Sequence, residues 1–321
     1  MTASGGTELP ETAWECASVP LRFQVGDIVL GQAILSLYRR SAQLDEEPLD
    51  IYDTPEPPPR LDRADGYVVW SQPIATRLPI LRRRRDAIRY IPRQYQRFSV
   101  KLSGGFEQYM STFSGKTRSS LKRKLRKFTE VSGGLIDWKE YRTPEQIATF
   151  FPLARKVSAR TYQERLLDRG LPADKVFFIS AQTLARDNRL RAYLLFLNGE
   201  PISYLYCPVR QRVVVYDRLG YDPSYASLSP GTVLQILALK ALFAEQQFTT
   251  FDFTEGEGQH KKIFATDQRL CGDVYVVRER LAPLLLIVLH FGLDRASGGA
   301  GKILELLKLK SRVRKLIRSV R

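Results

Sequence analysis

The chain has 321 residues, 44% of them hydrophobic and 11% aromatic, which is enough for a sizeable core in about two domains or one large one and excludes a mainly disordered protein. Its net charge of +16 and pI near 9.8 point to an anionic partner, whether nucleic acid, a lipid surface or a phosphorylated substrate, without choosing among them. Three scattered cysteines (Cys16, Cys207, Cys271) with no CxxC pair, and two histidines (His260, His290), speak against a disulfide framework or a zinc site, so no metal is expected.

Residues 1–18 are polar, are expected to be disordered, and lack the basic and apolar regions of a secretory signal. LRFQVGDIVLG (21–31) alternates like a strand, and the next dozen residues read as helix. Prolines and charges in residues 45–65 mark an exposed loop. YVVWSQPIATRLPIL then reads as extended, and RYIPRQYQRFSVKL (89–102) as a strand broken near Pro92. Phe106, Tyr109, Phe113, Leu121, Leu125 and Phe128 share one face of a single helix that Gly133-Gly134 stops.

LIDWKEY follows as a strand. Thr143-Pro144-Glu145 then opens a second helix, with Thr143 as N-cap and Pro144 in the first turn. A third helix covers about 173–187. RAYLLFLNGEPISYLYCPV is a hairpin turning at Asn198-Gly199, and QRVVVYDRLGY is the next strand. SPGTVLQILALKALFAEQQ is apolar on all sides, hence a helix buried against a sheet. TTFDF, a brief helix at 259–265 and the strand CGDVYVVRER complete this part. A helix between two strands implies a parallel crossover, and the hairpins make the sheet mixed. Two C-terminal helices are expected. The run at 281–293 falls short of the roughly 20 apolar residues of a membrane-spanning helix. Residues 301–321 have one apolar and one basic side, suited to a membrane interface, to RNA or to packing on the protein. The protein is expected to be cytoplasmic, with peripheral attachment at the inner membrane face left open.

Three segments can carry chemistry. At Ser229-Pro230-Gly231-Thr232 a strand and loop lead into a helix: Ser229 suits the N-cap, Pro230 the first turn, and the amides of Gly231 and Thr232 face outward at a partly positive helix end. Starting a helix would by itself explain the same residues. FDFTEGEGQHKKIF (251–264) gathers Asp252, Glu255, Glu257, His260, Lys261 and Lys262 after a strand, where α/β sheets commonly place ligands; a solvated polar loop is the plain alternative. SGKTRSSLKRKLRKF (114–128) covers a helix face with basic residues that suit RNA, phosphates or anionic lipid, or merely water.

The order of SGKTRSSLKRKLRKF, SARTYQERLL (158–167), LNGEPISYLY, GYDPSYASLSPG and FDFTEGEGQHKKIF resembles the acetyltransferase group that includes CelD-type proteins of cellulose biosynthesis, relatives of the FemABX peptidyltransferases in the GNAT superfamily. The resemblance covers about residues 85–280. It implies an α/β (α+β) fold with a mixed, splayed sheet flanked by helices, in two GNAT-like halves at 19–142 and 143–280, followed by C-terminal helices at 281–321. It further implies that acetyl-CoA or another acyl-CoA lies between strands at about 212–220 and 249–254. Leu219 and Gly220 would sit along it, and Ser229, Pro230, Gly231 and Thr232 would hold its pyrophosphate. Phe251, Asp252, Phe253, Gly256, Lys261 and Phe264 match the family's closing pattern, with His260 where tyrosine is usual.

The implied reaction is direct acyl transfer to an amine or hydroxyl on a small molecule or glycan, in polysaccharide or cell-envelope biosynthesis. Asp252 or Glu255 would be the base, and His260 would protonate the thiolate. Lys261 or an amide near Leu219 would hold the oxyanion, with Lys261 the first choice for an essential residue. An aminoacyl-tRNA donor, or a non-catalytic module binding membranes or polysaccharide machinery, remain as alternatives. The chain is expected to act as a monomer or weak oligomer.

Overall fold

Alternating and continuous apolar runs sort the described residues into thirteen strands. The computed structural model describes residues 14–25, 28–61, 64–161, 170–256 and 258–306. In chain order these hold β1 (Glu15–Val25), β2 (Ile28–Ser41), β3 (Gly66–Pro73), β4 (Leu81–Arg83), β5 (Ala87–Tyr90), β6 (Gln94–Lys101), α1 (Phe106–Ser111), α2 (Gly115–Val131), β7 (Trp138–Tyr141), α3 (Pro144–Ser158) and α4 (Lys175–Arg186). Then come β8 (Leu190–Leu197), β9 (Glu200–Arg210), β10 (Val213–Val215), β11 (Arg218–Tyr221), a 3-10 turn (Pro223–Leu228), α5 (Pro230–Glu245), β12 (Thr250–Asp252), α6 (Gln259–Phe264), β13 (Asp267–Arg278) and α7 (Leu281–Leu306). The described residues form two compact units, 96–268 and 14–95 with 269–306.

In the 96–268 unit, β7, β8 and β9 are antiparallel neighbours, β9 also pairs with β10 and β11, and β12 lies parallel to β10 and antiparallel to β6. The β10–α5–β12 crossover is thus parallel, as its sequence order requires. Every residue of β8 is buried because both faces are covered. Ala192, Leu194 and Phe196 face a cluster with α3 and α4, while Tyr193, Leu195 and Leu197 face one with α1, α2 and α5. Asn198 and Gly199 take φ of 52° and 77°, the left-handed turn the hairpin needs.

One helical expectation changes in detail and another holds. The stripe from Phe106 to Phe128 is carried by two helices, because Ser114 caps a fresh start by accepting from the Thr117 N–H at 3.2 Å. All six apolar residues still join one core. Thr143 and Gln146 form the full capping box that opens α3.

In the other unit, β1 starts at Glu15, inside the segment expected to be loose, and β2 occupies the dozen residues expected to be helical. The alternation of buried Leu35 and Leu37 with an exposed Ile34 shows the period of two that decides for strand. β2 runs parallel to β3, and β3, β13, β5 and β4 follow as antiparallel neighbours. α7 runs unbroken to Leu306 where two helices were expected, and residues 307–321, with most of the basic amphipathic segment, lie outside the described residues. No described helix is long and apolar enough to cross a membrane.

Candidate active site

β10 and β12 pair from Val213↔Thr250 to Val215↔Asp252, and one last bond joins the Tyr216 N–H to the Asp252 carbonyl at 2.8 Å. The two paths then separate. Phe253 donates to Phe98 of β6, whereas β11 pairs with β9. Asp222 N–H bonds the Ile202 carbonyl, so alternation along this antiparallel pair turns the N–H groups of Leu219 and Tyr221 away from β9, toward the opening. Gly220 is required here: a Cβ would lie 2.4 Å from Tyr204 Cε1 and 2.9 Å from Thr161 Cγ2.

The start of α5 departs from the expected cap. The 3-10 turn is capped by Asp222, whose carboxylate accepts from Ser224 N–H at 3.0 Å. Ser229 is then left-handed (φ 53°), and its side chain makes no capping bond. A residue in that conformation turns its hydroxyl away from the helix, which leaves the Gly231 and Thr232 amides uncapped by Ser229. Pro230 is the first helical residue, as expected. Gly231 packs so closely on β11 that a Cβ would meet Leu219 Cδ2 at 3.0 Å. Lys127 on α2 donates to the Ser227 carbonyl at 3.0 Å, which brings the basic helix beside this turn. A cavity of about 390 Å³ lies nearby, lined by Arg160, Asp222, Pro223 and Ser224. Partial burial opposes ionisation of Asp222, but hydrogen bonds from Ser224 and the ion pair with Arg160 outweigh it and hold the carboxyl below its usual range.

The loop after β12 assigns its charged residues differently from the sequence expectation. Asp252 is 1% exposed. Arg97 grips both its oxygens (Nε–Oδ1 3.1 Å, Nη2–Oδ2 2.5 Å), and Thr254 N–H bonds Oδ1 at 2.9 Å. A carboxylate so engaged is not placed to take a proton from a substrate. Lys261 is also buried, and its ammonium donates to the carbonyls of Phe253 (2.6 Å) and Glu255. It closes the turn through Thr254 and Gly256, both at positive φ. Burial, the main cause, lowers its pKa; Asp252 and Glu255 oppose the shift and Arg97 adds to it. Phe264 is a core residue whose carbonyl accepts from Tyr109 at 2.8 Å, so it does not line the opening. Glu255 and His260 are exposed. Glu257, named with this cluster, and residues 162–167 of the SARTYQERLL segment lie outside the described residues.

Crowding by protein atoms, and secondarily the charge of Lys261, lower the His260 pKa below 6.5. Its ring lies 6.0 Å from that of Tyr216, the functional candidate that sequence reasoning missed. Tyr216 stands where the strands part, packed on Phe251 and Phe253. Burial raises its pKa above 10, and its hydroxyl has no hydrogen-bond partner among the described residues. The one available signal was an aromatic with a polar tip ending the apolar run VVVY just before the strand breaks.

A parallel strand–helix–strand unit whose strands part beside an uncapped helix start defines an α/β fold of the GNAT acyltransferase type. Residues 115–262, just under half of the chain, match the family described as Acetyltransferase (GNAT) domain. Among solved structures, the chain is similar to the C-terminal domain of a protein described as a lysylphosphatidylglycerol synthetase from Agrobacterium fabrum (10% identity, 71% of this chain and 72% of that one, TM-score 0.46). It is also similar to FemX (13% identity, 60% and 64%, TM-score 0.41) and to the ribosomal-protein-S18-alanine N-acetyltransferase of Escherichia coli (13% identity, 46% and 96%, TM-score 0.30). No curated protein matches the sequence.

Proposed function

We propose that the protein transfers an acyl group from acyl-CoA to an amine or hydroxyl. The observation that carries this reading is the opening between β11 and the end of β12, where outward-turned strand amides stand beside uncapped helix amides. The fit to CoA is favourable. The Gly231 and Thr232 amides offer a diphosphate the positive end of a 16-residue helix, and Gly231 lets that end pack closely against Leu219 of β11. Lys127 and the other cations of α2 add positive charge next to it.

Bound acyl-CoA would supply a thioester, whose C–S bond breaks as the C–N or C–O bond to the acceptor forms. The Leu219 N–H, turned into the opening, is the donor placed for the developing oxyanion. Tyr216 holds its proton at neutral pH and is placed to give it to the leaving sulfur. His260, with its lowered pKa, is neutral at pH 7 and accepts a proton from the acceptor rather than donating one. Lys261 and the Arg97–Asp252 pair hold the loop that carries His260.

The test is calorimetry with acetyl-CoA and with the Gly231→Val variant. Wild type binds, and the variant, whose side chain displaces Leu219 and fills the turn, binds at least tenfold more weakly. A folded wild type that gives no heat and no thermal shift rejects the reading. The cationic face of α2, with exposed Lys116, Lys122, Arg123, Arg126 and Lys127, favours aminoacyl-tRNA as a second donor. Salt-dependent retention of tRNA on filters without CoA binding would select it.

A further inference from the structure

The 14–95 and 269–306 unit holds a buried cation that the acyl-transfer reading leaves unused. Arg89 on β5 is 0% exposed. Its Nη1 donates to the carbonyls of Asp53 (2.6 Å) and Asp50 (3.4 Å), while Nε and Nη2 have no hydrogen-bond partner among the described residues. Carbonyls do not neutralise a guanidinium, and an unpaired buried charge is among the costliest groups a fold can carry.

Arg89 sits directly opposite Val276 on one side and Arg82 on the other, and Val276 sits opposite Tyr67, so all four share a sheet face. Ala87, two residues from Arg89, is on that face too. Val276, Tyr67 and Ala87 line a cavity of about 590 Å³ whose rim carries Arg84, Arg85 and Arg278. This volume lies in the range of small-molecule sites, roughly 300–1,000 Å³.

The acids nearby do not balance these charges. Arg82 and Arg84 bind the carbonyls of Ile51 and Tyr52, so three arginines hold the loop after Asp50 through its main chain. The Asp50 and Asp53 carboxylates accept local N–H bonds. Arg83 pairs with Glu279. Asp86 is the acid at the rim. Arg85 and Arg278 make no side-chain hydrogen bond or ion pair among the described residues.

We propose that this cavity binds the phosphate group of a small organic phosphate or of a lipid headgroup, with Arg84, Arg85 and Arg278 at the mouth and Arg89 as the buried cation behind them. Guanidinium forks match phosphate oxygens in pairs, and a bound anion would add to the charge of Asp53, which burial and the charges of Arg82 and Arg84 outweigh at Arg89.

The test uses the full chain and the Arg85→Gln/Arg278→Gln variant, which leaves the loop anchors in place. Inorganic pyrophosphate, titrated by calorimetry into protein saturated with acetyl-CoA so that the helix end of α5 is occupied, binds wild type, and the variant binds it at least tenfold more weakly with acetyl-CoA affinity unchanged. Flotation with vesicles of phosphatidylglycerol in phosphatidylcholine is the second arm. Variant-sensitive flotation without pyrophosphate binding identifies a lipid headgroup as the source. If neither probe distinguishes the variant from wild type, the proposal is wrong.

Discussion

Replacing Arg97 by Met would test whether Asp252 is a structural anion or a catalytic base. The substitution removes two donors from a carboxylate that is 1% exposed and leaves it with the Thr254 N–H and the nearby Lys261 charge. Breaking a buried pair by removing one partner costs about 3–5 kcal/mol. That is a large share of a total stability of about 5–15 kcal/mol. At about 2–4 °C per kcal/mol for a domain of this size, the melting temperature should fall by roughly 6–20 °C. The double variant Arg97→Gln/Asp252→Asn keeps a hydrogen-bonding pair without the charges and should recover more than half of the loss. Thermal and urea unfolding followed by circular dichroism measure both. The double variant should also keep its turnover within about tenfold of wild type, whereas loss of a general base costs about 10²–10⁴-fold. Loss of less than about 1 kcal/mol in the single variant would refute the structural role. So would a folded double variant that is inactive.

Tyr216→Phe should lower kcat about 10²-fold with little change in acetyl-CoA affinity, since it removes only the proton offered to the leaving group; single-turnover kinetics separate the two. Gly220→Ala should destabilise the protein by about 1–3 kcal/mol in urea unfolding, because its methyl enters the space of Tyr204 and Thr161. The folded-state pKa of His260 is depressed, so the unfolded chain binds more protons below pH 6.5 and stability should fall as pH drops through 6.5 toward the folded value. His290 shifts the same way, so unfolding curves of His260→Gln should keep part of that slope.

Chain-local information carried much of the architecture. Asn198-Gly199, Thr143-Pro144 and the all-apolar run after Pro230 each state a turn, a cap or a two-sided burial within a few residues, and the structure has all three. The strand–helix–strand order around that run already implied a parallel crossover, whereas the opening at its end was expected only from the family resemblance. Local patterns misled where two readings share a composition. The segment after Gly31 alternates with period two but contains residues common in helices, and pairing with β1 and β3 decided for strand.

The charge assignments in the site were beyond the sequence. Asp252 and Arg97 are 155 positions apart, and only the antiparallel approach of β12 to β6 makes them partners. The same holds for Arg89, an unremarked residue of a strand until neighbouring strands and the proline-rich loop enclose it. A side chain's chemical type is written in the sequence. Its solvation and its neighbours' charges decide whether it moves a proton, binds an anion or braces a loop, and those are set by strands that meet only in three dimensions.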